Sequence, residues 1–153
     1  MMNKYFLVLL SIVVFSCKSK QLKDLPAVVV YKVDEPIEDD GETVDNKSFL
    51  YYDITDKRGN GLKAVASKLV ADEDFCYNAY SGLNGFTQLN YDHTKITKDS
   101  YLEIVYKGFS KEKIPFARLE KGKLQVIQLK RGDSIVTKEA YEKFYEEIRK
   151  CSW

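Results

Sequence analysis

The chain has little of what hydrolytic catalysis and nucleic-acid binding are built from. A single histidine, His93, in 153 residues cannot supply the histidine and glutamate set that holds a hydrolytic zinc. No Gly-x-Ser-x-Gly turn and no Gly-rich phosphate loop after a strand occurs, which removes two common routes to nucleophilic and phosphoryl chemistry. A surplus of one charge is also missing. Lys4 is the only charged residue ahead of Cys17, so loss of that leader leaves 23 basic side chains against 23 acidic ones. A neutral body lacks the basic footprint of a nucleic-acid binder. No apolar run reaches the roughly 20 residues that a membrane-crossing helix needs. The chain is therefore expected to be no enzyme and to carry no metal and no cofactor.

What is present begins with an address. Met1 to Ser16 has a short positive start, an apolar segment from Tyr5 to Phe15 and a small residue before Cys17, the pattern of a secretory signal. Val14-Phe15-Ser16-Cys17 resembles the lipobox of Bacteroidetes-type lipoproteins, in which the signal is cut before a cysteine that then carries the lipid. Two or three acyl chains bury enough methylenes, at about 0.8 kcal/mol each, for lasting attachment. The resemblance implies membrane lipid as a partner through acylated Cys17. Lys18-Ser19-Lys20 lacks the acidic cluster that resembles a surface-export signal, so a periplasm-facing leaflet is expected.

Residues 17–47 read as the lipidated cysteine and a tether. They hold Pro26, Pro36 and an acidic run from Asp34 to Asp45. The carboxylates lack the fixed spacing of a calcium loop and read as a solvated linker. Ala27 to Val33 has β character and is suited to joining a sheet edge. A flexible stretch of thirty residues would give a span of roughly 30 Å.

From Ser48 the pattern changes to short alternating runs separated by turn residues, the signature of an all-β sandwich. Strands are expected at Phe49 to Thr55, Leu62 to Val70, Phe75 to Tyr80, Phe86 to Tyr91, Tyr101 to Phe109, Lys111 to Phe116 and Lys123 to Leu129. The fifth should be central, with Leu102, Ile104 and Tyr106 on a fully buried face.

Ile54-Thr55-Asp56-Lys57-Arg58-Gly59-Asn60-Gly61-Leu62-Lys63-Ala64, Ser81-Gly82-Leu83-Asn84-Gly85-Phe86 and Tyr106-Lys107-Gly108-Phe109 together resemble the carboxypeptidase regulatory-like (transthyretin-like) domain. The resemblance runs from about Phe49 to Leu129. It implies a seven-stranded antiparallel β-sandwich over residues 48–131. Gln88 and Asn90 stand where that family is usually apolar, which leaves room for a bulge or a change of register. The enzymes related by name offer no site here: zinc carboxypeptidases and hydroxyisourate hydrolases both resemble sites built from several histidines.

Residues 132–153 leave the sandwich. Thr137 can cap a helix from Lys138 to Lys150, with Ala140, Tyr141, Phe144, Tyr145 and Ile148 along one face. That face is expected to cover the sandwich. With Cys17 acylated, Cys76 and Cys151 are an even pair in an oxidising compartment. Either they bridge, closing a loop of about 75 residues, or Cys76 is buried as a small hydrophobe.

The remaining surface features are a basic flank and aromatic side chains. Eight basic residues and two acidic ones lie between Lys107 and Arg131; they are solvated, or meet anionic lipid head groups or the acidic tether. Tyr80, Phe86, Tyr91 and Tyr101 either fill the core or form a stacking platform for a saccharide or peptide. The expected work of the chain is non-catalytic binding or scaffolding through an envelope protein partner, with carbohydrate or peptide binding as the alternative and nucleic acid excluded.

Overall fold

The computed structural model describes residues 47–151. Cys17, the leader and the tether segment Ala27 to Val33 lie outside the described residues. The described chain is mostly β, with seven strands, two sheets and one helix near its C-terminal end: β1 (Lys47–Thr55), β2 (Ala66–Val70), β3 (Cys76–Tyr80), β4 (Phe86–Asp92), β5 (Tyr101–Val105), β6 (Glu112–Pro115), β7 (Leu124–Gln128) and α1 (Lys138–Ile148). The first sheet has the order β4-β1-β7 and the second β3-β2-β5-β6. Both contribute to one buried cluster: Leu50, Tyr52, Ile54, Leu89 and Ile127 from the first meet Leu69, Leu102, Ile104 and Ile114 from the second. Period-two alternation produces this directly, since every second side chain of a strand points to the same face.

One expectation is corrected. The sheets are not both antiparallel: β1 pairs antiparallel with β4 but parallel with β7, in register from Tyr51 opposite Leu124 to Thr55 opposite Gln128. Alternation decides which face of β7 is buried; it carries no information on the direction in which β7 runs.

Other boundaries move for local reasons. The second strand begins at Ala66 rather than Leu62. Ahead of it the chain crosses between the sheets, with Leu62 N–H donating to the Ile54 carbonyl and Ala64 at a φ of 58°. Gly61 passes so close to the next turn that a Cβ there would overlap the Asn84 carbonyl. The fifth strand lies inside its sheet, as its alternation predicts, but ends at Val105. Gly108, at a φ of 81°, then turns the chain, and Phe109 N–H donates to the Tyr106 carbonyl. No bulge forms at Gln88 and Asn90. The β1–β4 register is regular from Lys47 opposite Asp92 to Asp53 opposite Phe86. Both amides simply take outward positions while Thr87, Leu89 and Tyr91 point inward.

Candidate functional site

The two sheets expose their outer faces very differently. On the second sheet, Ala66 and Val105 lie buried beneath Phe144, Ile148 and Cys151, with Tyr80, Val136 and Tyr141 packed around them. Thr137 caps α1 by accepting from Ala140 N–H at 3.1 Å, which fixes where the helix starts. Ala140 is exposed, so the covering face is narrower than its sequence spacing implies. Three further contacts hold the helix down. The Asn78 amide donates to the Ile148 and Cys151 carbonyls at 2.7 and 3.3 Å, tying β3 to carbonyls at the helix end. The Tyr141 hydroxyl donates to the Ala64 carbonyl. Lys68 on β2 meets Glu147 at 2.8 Å. A disulfide joins Cys76 on β3 to Cys151 just past the helix, with their Cα atoms 4.9 Å apart. Of the two outcomes open to these cysteines, the structure has the bridge.

On the first sheet no described element covers the outer face. Its outward positions are Phe49, Tyr51 and Asp53 on β1, Phe86, Gln88 and Asn90 on β4, and Leu124, Val126 and Gln128 on β7, none of them fully buried. The rings of Phe49 and Tyr51 are 6.1 Å apart and those of Tyr51 and Phe86 6.4 Å, inclined by 16° and 21°. They form one near-parallel row across two strands. Phe86 is 37% exposed, and Leu83 on the adjoining turn is 78% exposed. Asp53 sits opposite Phe86 and Val126 in the pairing registers, and partial burial raises its carboxyl above the usual range. Aromatic rings bordered by neutral amides form a surface for apolar and hydrogen-bonded contact.

The four rings singled out in the sequence are not brought together. Tyr91 is buried in the core, 5.4 Å from Phe116. Tyr80 packs at 4.6 Å against Tyr145 of α1. Tyr101 lies at the far end of the same outer face, with Lys113 at 3.5 Å above its ring. Only Phe86 belongs to the open face. Sequence reasoning missed Phe49 and Tyr51, whose spacing of two on a strand is the signal that they share a face. His93 lies exposed in the 3₁₀ turn His93–Lys95, which Asp92 caps. Among the described residues no group of three histidine, cysteine, aspartate or glutamate side chains converges on a point where a metal could sit. Comparison with family models, with curated proteins and with solved structures gave no significant match.

Proposed function

We propose that this chain is a non-catalytic, lipid-anchored protein of the cell envelope, tethered through acylated Cys17 and facing the periplasm, whose body is a protein-binding or scaffolding module. We assign that body to the carboxypeptidase regulatory-like, transthyretin-like sandwiches. The turn glycines of its motifs support the assignment: Gly59, Gly85 and Gly108 all adopt positive φ, where a side chain would be strained.

The observation that carries the binding reading is the aromatic row Phe49, Tyr51 and Phe86 on an outer face with no described element over it. Aromatic anchors are enriched at the centres of protein interfaces. Cross-linking in native membranes tests this. Wild-type chain should capture one partner at fixed stoichiometry, and Phe86→Ala with Tyr51→Ala should lose it while the protein remains folded. Capture that is indifferent to both substitutions would overturn the assignment of the face.

Gln88 and Asn90 favour a second reading, a saccharide stacked on the same rings with its hydroxyls on the two amides. Glycan-array binding that Tyr51→Ala abolishes would select it. An intact mass of the chain from native membranes without acyl groups would remove the lipid anchor.

A further inference from the structure

A separate feature lies at the edge where β1 and β7 both end. Because these strands run parallel, the residues after each leave the sheet on the same side. Leu129 N–H donates to the Thr55 carbonyl at 2.8 Å, extending the ladder to the last residue before the basic pair Lys130-Arg131. The turn after β1 carries the other basic pair, Lys57-Arg58. Between them is a cleft of about 630 Å³, with Phe109 also in its wall.

Both sides of the cleft are held by the backbone. In the β1 turn the Asp56 carboxylate accepts from Arg58 N–H, Asn60 N–H and the Asn60 amide at 2.8, 2.9 and 3.0 Å. Across from it, Ser110 N–H donates to the Lys130 carbonyl at 2.9 Å and Gly132 N–H to Ser110 Oγ at 2.8 Å. The Arg131 guanidinium lies 5.5 Å from the Phe109 ring centre, a cation–π contact. Among the described residues Asp56 is the one carboxylate in the wall, and its hydrogen bonds are made within its own turn. Glu112 acts on Lys130 from β6 and is not part of the wall. Among the described residues, Lys57, Arg58, Lys130 and Arg131 line the cleft beside Asp56.

We propose that this cleft binds a phosphate group, held between Lys57-Arg58 on the turn after β1 and Lys130-Arg131 after β7. Two cation pairs on separate segments suit a group with more than one negative charge and several acceptor oxygens. A phosphate has both; a lone carboxylate does not.

The test uses the full chain with Cys17→Ser, so that no acyl group carries it to a membrane. Inorganic pyrophosphate should shift the amide resonances of residues 56–58 and 128–131. Lys57→Glu with Arg131→Glu should weaken binding by about tenfold or more, on the scale of one lost charge-assisted contact. Lys143→Glu, on the exposed side of α1, should leave it unchanged. Vesicles of phosphatidylcholine and phosphatidylglycerol distinguish the source of the phosphate. Vesicle binding lost in the double variant identifies a lipid headgroup, whereas pyrophosphate shifts without vesicle binding identify a soluble phosphate, and either supports the site. No shift with pyrophosphate, shifts spread evenly over the surface lysines, or an equal loss from Lys143→Glu would overturn it.

Discussion

The outer faces of the two sheets show how one sequence pattern can serve opposite ends. On β4 the alternation is strict, with Thr87, Leu89 and Tyr91 buried and Phe86, Gln88 and Asn90 exposed, as expected of a strand with one face on a core. On the second sheet Ala66 and Val105 point away from that core and are nonetheless buried, because α1 lies over them. That face is covalently clamped and hydrogen-bonded shut, while no described element covers the aromatic row of the other. The side chains beneath α1 therefore bear on stability, and those of the aromatic row are the ones on which the proposed binding function rests.

Breaking the clamp should have the largest effect. Cys76→Ser with Cys151→Ser opens a cross-link across 75 residues of chain, worth roughly 4 to 5 kcal/mol in the chain-entropy account. Urea unfolding of the oxidised protein and the double variant should show that gap. Near-equal midpoints would mean that packing alone holds the helix. Next comes Ile148→Ala. Ile148, the last residue of α1, is fully buried between the helix and the second sheet, and its truncation should cost about 3 kcal/mol, as large-to-small core changes do. On the opposite face the contrast sharpens. Phe86→Ala removes a cross-strand ring contact with Tyr51 and should cost under about 1 kcal/mol. An effect as large as that of Ile148→Ala would show that the aromatic row is part of the core after all.

The division between these faces was only half legible in the residues. The strands could be read because Leu102 and Ile104, like Leu50, Tyr52 and Ile54, recur at the period of a pleated chain. The helix could be read because Thr137 precedes side chains spaced by three and four. What could not be read depends on contacts far apart along the chain. The direction of β7 leaves no mark on its alternation, yet it brings Arg58 and Arg131 to the same edge. The aromatic row depends on Tyr51 and Phe86 becoming neighbours across two strands, and neither position announces the other. Tyr91 stays open between core and platform for the complementary reason: in a tyrosine at the end of an alternating run, the ring that could stack on a ligand is the same ring that fills a core. Tyr91 fills the core, and burial accordingly holds its phenol above the usual range.

The smallest effect concerns acid. Glu147 on α1 has its carboxyl held below the usual range, first by the hydrogen bond from Lys68 on β2. A carboxyl with a depressed folded pKa stabilises the folded state above its unfolded value, about 4.3, and that contribution is lost as pH falls through the folded value. The Glu147 side chain is 54% exposed and that of Lys68 18%, so solvent at the carboxylate screens the pair and limits it to roughly 0.2 to 1 kcal/mol. Glu147→Gln should therefore lower stability slightly at neutral pH and converge with wild type as pH falls below the folded value. The loss should be confined to the clamped side: amide exchange in α1 and the adjoining end of β2 should quicken, while β1 and β4 stay as they were. Equal quickening in both sheets would mean that helix and sandwich open as one cooperative unit, so that the clamp serves the whole fold rather than the face it covers.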